Sequence, residues 1–211
     1  MSETKIFYSE ADDDMLKAFN KAQETFKYFW RELSWEYRRI VPALELACVK
    51  VAFSQNTTDP ERPLVEHMWI NEIGFDGDNV SGILINEPNA ISNVKNGQRV
   101  QIPLTHISDW LFASQGKTYG GFTIQLMRSK MNDKEREDHD TAWSLDFGDF
   151  NSIWLVRDQA EHPENLREHP MSINMKDSLI DFLKQNPGEL TYKDEKGYTL
   201  LHRETIAGNR T

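Results

Sequence analysis

Two short stretches hold residue types able to do chemistry. EHMWINEI, Glu66 to Ile73, sets an acid, a histidine and a tryptophan close together, and HISDW, His106 to Trp110, holds a histidine and an aspartate three apart. A histidine oriented by a carboxylate can take a proton from a hydroxyl, and Ser108 is the hydroxyl at hand. An enzyme reading is therefore a small-molecule hydrolase, or another enzyme, with a sheet pocket around His67, His106 and Asp109. No nucleophile elbow and no oxyanion glycines surround Ser108, so the set is incomplete and no catalytic residue is assigned.

Other chemistries find less support. Histidines 67, 106, 139, 162, 169 and 202 fall into no HExxH or Cys–His grouping, and there is no EF-hand loop. Neither a metal site nor a cofactor is expected. QGKT, Gln115 to Thr118, has the end of a phosphate loop, but Leu111 stands where its first glycine is required and a strand is expected to follow. It reads as a turn. Cys48 lies inside the apolar run ALELACVKVAF, which marks it as a small core residue.

The elements that must position these residues follow from the hydrophobic pattern. Met15, Phe19, Ala22, Phe26, Phe29 and Leu33 recur at helical spacing, with Ser9 and Asp12 as a capping box and Pro42 ending the pattern. This predicts one long amphipathic helix packed on a sheet. ELACVKVAF, VEHMWINEI, VSGILIN, GQRVQIP and GGFTIQLMR alternate with period two and read as strands. In the second, the alternation puts Val65, His67, Trp69 and Asn71 on one face, where a neutral imidazole bonded to a neighbouring strand is a common structural role. Asp76-Gly77 and Lys95-Asn96-Gly97 are tight-turn signals, so the sheet is expected to be antiparallel.

SKMNDKEREDHDTAW reads as a charged helix or loop, and SLDFGDFNSIWLV as a segment packing back on the first unit. RDQAEHPENLREHP, dense in charge and holding two His-Pro pairs, reads as a linker. SINMKDSLIDFLKQNPG returns to helical period, with Leu179, Ile180 and Leu183 on one face and Gly188 as a stop. The expected organisation is an α+β domain over residues 1–156, a linker over 157–171 and a helical segment over 172–211.

Charge narrows the partners. Lys and Arg number 24 against 34 Asp and Glu, a net charge of −10 that repels phosphate backbones and anionic lipid and attracts basic surfaces. No nucleic acid and no membrane partner is expected. The single cysteine, an N-terminus without an apolar export segment, and apolar runs interrupted by charge point to the cytoplasm. Oligomeric state is not legible.

The motifs carry two resemblances. EHMWINEIGFDGDNVSGILINEPN, VKNGQRVQIPLTHISDWLF and GKTYGGFTIQLMR resemble, in this order, the YegJ-like bacterial domains of unknown function, over about Leu44 to Arg128. That resemblance implies no established activity. DEKGYTLLHRETIAGN resembles an ankyrin repeat, with Asp194, Gly197, Thr199, Leu201, His202, Gly208 and Asn209 at the repeat's spacing and Thr-Leu-Leu-His in place of Thr-Pro-Leu-His. There the threonine and histidine tie the turn together, which implies a structural role for His202.

The expected fold is thus α+β, a long N-terminal helix on an antiparallel sheet with an ankyrin-like helical cap. The expected function is non-enzymatic protein binding, as in a bacterial immunity protein that neutralises a co-encoded toxin with a basic effector domain. The residues expected to present acidic charge are Glu32 and Glu36 near the helix end and Asp76 and Asp78 on the hairpin tip.

Overall fold

The computed structural model describes residues 13–59, 63–195 and 197–209. The chain divides into two compact units. One holds the described residues up to Thr25 together with Leu44–Ile153, and the other holds Phe26–Ala43 and Trp154–Thr211. The long helix α1, Asp13–Glu36, contributes to both, which the sequence-based boundary at 156 does not anticipate. The capping box expected from Ser9 and Asp12 lies outside the described residues.

The first unit is built on a six-stranded antiparallel sheet of order β4-β3-β2-β1-β5-β6. Its strands are β1 (Leu46–Gln55), β2 (Leu64–Phe75), β3 (Asn79–Leu84), β4 (Arg99–Pro103), β5 (Ile107–Ser114) and β6 (Lys117–Gly120). Alternation in β2 buries Met68 and Ile70 and leaves Val65, His67, Trp69 and Asn71 half-buried. Strand β5 is buried along its whole length. The first half of α1 is tied to it by polar as well as apolar contacts. Trp110 Nε1, fully buried, donates to Ala22 O and Thr25 Oγ1, both at 3.1 Å, so the indole N–H keeps a partner. Gln23 Nε2 donates to Thr105 O at 3.0 Å and Ile107 O at 2.8 Å.

One expected strand is a helix. GGFTIQLMR, which alternates with period two, forms α2, Phe122–Ser129, and the sheet takes β5 and β6 instead. Gly120 and Gly121 explain the switch, because both have positive φ, +77° and +73°, and end the strand. A Cβ on Gly120 would also lie 2.4 Å from Trp110, so no larger residue fits the turn. Helix α3, Asp133–Trp143, starts with a capping box between Asn132 and Glu135 and is anchored to α2 by Arg128 and Asp140 at 2.7 Å. Phe147 packs with Cys48, Leu111 and Ile124, so the first part of SLDFGDFNSIWLV returns to the first unit as expected, whereas residues 154–156 fall in the second.

The second unit comprises the end of α1, a 3₁₀ turn at Pro163–Leu166, α4 (Pro170–Gln185), a 3₁₀ turn at Pro187–Leu190 and α5 (Leu200–Ile206). Residues 157–171 do not behave as a solvated linker. Asn165 and His169 are buried, and Arg31 donates to Asn165 O. Charge density misleads here because Arg157 and His169 turn inward to the buried Glu32.

Candidate functional site

In the first unit the residues with chemical capacity fall into two adjoining hydrogen-bond systems. Asp109 is fully buried, and its carboxylate accepts from Trp110 N at 2.8 Å, Phe122 N at 2.9 Å, Thr123 N at 2.8 Å and Thr123 Oγ1 at 2.6 Å. Two of these are orphan amides in the first turn of α2, whose own N-cap, Gly121, has no side chain to offer. Asp109 therefore caps a helix from a neighbouring strand. Burial pushes its carboxyl up to about 6 against the pull of Thr123, Lys50 and Trp110 N.

Lys50 extends this system. The register sets it opposite Asp109 on one side and Trp69 on the other, and its Nζ reaches Thr123 Oγ1 at 3.4 Å and lies 5.5 Å from the Trp69 ring centroid. Burial lowers the ammonium below the usual lysine range, with Asp109 opposing. The hydroxyl of Thr123 accepts from Lys50 and donates to Asp109, which makes one directed chain of donors.

His67 belongs to the second system. Its Nδ1 is 2.9 Å from Ser108 Oγ, and its ring stacks on Phe19 at a centroid distance of 4.9 Å. Ser108 Oγ donates its one proton to Lys50 O at 3.2 Å, so it accepts from His67 Nδ1–H. The polarity is opposite to that of a base activating a serine, and Ser108 is fully buried. Burial, and then the charge of Lys50, pulls the imidazole down to about 4. His106 makes no hydrogen bond to Asp109, whose carboxylate is occupied by Trp110, Phe122 and Thr123. Among the described residues no hydrogen bond joins the Asp109 carboxylate to His67 or His106. In EHMWINEI, Glu66 accepts from Asn89 N and Ala90 N, each at 2.9 Å, while Trp69 N donates to Asn86 Oδ1 at 2.6 Å, so this stretch also fastens the loop after β3.

The acidic residues expected at the surface divide. Asp78 is exposed on the β2–β3 hairpin, but Asp76 Oδ1 accepts from Asp78 N at 3.0 Å and Asn79 N at 2.7 Å and holds the turn. Glu32 and Glu36 correct the expectation more strongly. Glu32 is 4% exposed and meets His169 Nε2 at 2.9 Å, Arg39 at 3.2 Å and Arg157 at 3.7 Å, while Glu36 meets Arg39 at 2.8 Å and accepts from Ala43 N at 2.9 Å. The Glu32 carboxyl is opposed by burial but held below its ordinary range by the His169 hydrogen bond and nearby positive charge. The three-residue separation of Glu36 and Arg39 hints at that pair, whereas nothing local in the sequence marks His169 or Arg157 as partners of Glu32.

At the C-terminal side, Thr199 and His202 form the capping box of α5, with Thr199 Oγ1 2.6 Å from His202 Nδ1. Gly197 and Gly208 have positive φ, and Asp194 closes the preceding turn by accepting from Tyr198 N at 2.9 Å. Leu201 is 74% exposed, and Ile173, Phe182, Leu190 and Tyr192 are also exposed. Among the described residues no group of three or more His, Cys, Asp or Glu side chains is placed to hold a metal, and no helix is long and apolar enough to cross a membrane.

Comparison with known proteins matches residues 12–147 to a family described as uncharacterised proteins conserved in bacteria, DUF2314. The chain is 51% identical over 210 residues to a Neisseria meningitidis protein named "Putative ankyrin repeat protein NMB1133/NMB1171", a match spanning 99% of this chain and 82% of that one. It is 36% identical over 59 residues to the Escherichia coli protein YegJ, described as uncharacterised, covering 28% of this chain and 39% of that protein. No solved structure matches the chain.

Proposed function

The chain belongs to the DUF2314 family, and from that premise we propose that it works by binding another protein through its C-terminal helical segment. The observation that carries this reading is the row of large apolar side chains left in solvent there, among them Phe182, Leu190, Tyr192 and Leu201. Exposed apolar side chains concentrated on one short segment mark interaction surfaces. An ankyrin-type unit buries its faces only against a neighbour, and the printed name of the Neisseria relative supports the same kind of role.

In its finer form this reading is a cytoplasmic bacterial immunity protein that neutralises a co-encoded toxin with a basic effector domain. The net charge of −10 supports it by favouring fast encounter with such a surface. The test is co-expression with the product of a neighbouring toxin gene. Co-purification and growth rescue are expected, with both weakened by Leu190→Asp and Tyr192→Asp. If the wild-type chain neither co-purifies nor rescues, the toxin reading fails. If the variants bind a captured partner as well as the wild type does, the C-terminal surface is not the site.

A further inference from the structure

A cleft of about 230 Å³ lies within the second unit, lined by residues that include Lys27, Tyr28, Arg31, Arg167 and Thr205. Three of the side chains lining it are cations and none is a carboxylate, in a chain whose net charge is −10. We propose that this cleft binds a compact, doubly charged oxyanion of the phosphate-monoester class, a ligand different in kind from the protein partner argued above.

The arrangement of the cations supports this. Arg31 is 5% exposed and donates to Asn165 O, so its charge is held in place in the cleft lining. Lys27 Nζ lies 5.1 Å and Arg31 Cζ 5.4 Å from the centroid of the Tyr28 ring, which steadies both cations beside it. Lys27 and Arg167 are exposed, and neither has an ion-pair partner among the described residues. The nearby carboxylate of Glu204 is directed elsewhere, to Arg38 at 2.7 Å and Asn209 Nδ2 at 2.6 Å. A buried guanidinium sharing one cleft with two exposed cations suits two negative charges better than one, and Arg forks match phosphate oxygens. The volume is below the usual span of drug-sized pockets, which favours a small ion or the phosphate end of a small metabolite.

The experiment is calorimetric titration of the full chain with inorganic phosphate and, separately, with acetate, at constant ionic strength. Phosphate is expected to give saturable heat and to bind at least about tenfold more tightly than acetate. Lys27→Gln and Arg167→Gln are each expected to weaken phosphate at least about fivefold without changing the thermal melt, since both side chains are exposed. Absence of saturable heat overturns the proposal. So does equal binding of acetate, or undiminished phosphate affinity in the Lys27→Gln, Arg167→Gln double variant. Success or failure here leaves the protein-binding reading untouched, because that reading is tested by co-purification and by variants at other positions.

Discussion

The Glu32 carboxylate and the His169 imidazole, 137 residues apart in the chain, meet at 2.9 Å in a site where each side chain is less than a tenth exposed. The contact has a fixed polarity. His169 Nδ1 accepts from Met171 N at 3.1 Å, so the ring proton is on Nε2 and points at Glu32. One imidazole therefore caps α4 with one nitrogen and satisfies a buried carboxylate with the other.

His169→Ala removes both bonds and leaves Glu32 with only the two arginines. A loss of about 3 kcal/mol is expected, combining a broken buried charged hydrogen bond with a lost cap. Urea titration at pH 7 measures it, and a loss below about 1 kcal/mol would show the contact to be incidental. His169→Asn, able to cap but too short to reach Glu32, should recover part of the loss.

The acid limb of stability should carry the mark of Glu32. Its folded carboxyl is held below the ordinary 4.5, so the folded state binds that proton less readily than the unfolded chain. The resulting stabilisation is complete above the unfolded value and disappears as pH falls through the folded one. Glu32→Gln should flatten the stability curve below pH 4.5 while lowering it at pH 7. A curve parallel to that of the wild type would rule out Glu32 as a source of acid sensitivity.

Much of the first unit is readable because its signals are local. Asp76-Gly77 names the hairpin, and alternation in EHMWINEI sorts Met68 and Ile70 from His67 and Trp69; in the second unit Thr199 with His202 likewise announces a helix start. GGFTIQLMR misleads because its cap is not local. Asp109, 13 residues upstream of Phe122, supplies the acceptor that makes this a helix, and only the folding of β5 brings it there. The same limit hides Glu32. A glutamate near a helix end looks solvent-facing until a histidine from a distant segment closes over it.

His67 and Asp109 should bend the pH profile in opposite directions. The imidazole, held near 4 against an unfolded 6.5, makes the folded state lose stability as pH falls from 6.5 to 4, because the unfolded chain takes up the proton first. The Asp109 carboxyl, raised to about 6 from 3.8, does the reverse, and its protonation between those values favours the folded state. His67→Gln should therefore gain on the wild type between pH 7 and 5, by on the order of 1 kcal/mol given its partial exposure. Urea midpoints at the two pH values measure this, and an unchanged difference would mean that His67 is already solvated.

Asp109→Ala should release the start of α2. Phe122 N, Thr123 N and the Thr123 hydroxyl would lose their acceptor inside the protein, and Lys50 would lose its nearest negative charge. A destabilisation of about 3 kcal/mol is expected, with hydrogen exchange accelerated first in α2. Asp109→Asn, which keeps one acceptor oxygen, should cost less. If both variants match the wild type in exchange at Phe122 and Thr123, the capping role fails.

The two aspartates of the β2–β3 hairpin should behave differently, although they are two residues apart and carry the same charge. Asp76 accepts from Asp78 N and Asn79 N, and Gly77 between them has φ +105°, so its carboxylate fixes the turn. Asp78 is exposed, and no side-chain partner constrains it among the described residues. Asp76→Lys should therefore lower stability by about 1 kcal/mol and loosen the hairpin. Asp78→Lys should leave the melt unchanged. If the partner is basic and steered by charge, Asp78→Lys should slow association severalfold at low salt with little change in dissociation, and the difference should shrink as salt rises. Stopped-flow mixing with the captured partner at two ionic strengths gives both rates. An effect confined to dissociation would place Asp78 inside the contact, and no effect on either rate would remove the hairpin from the encounter.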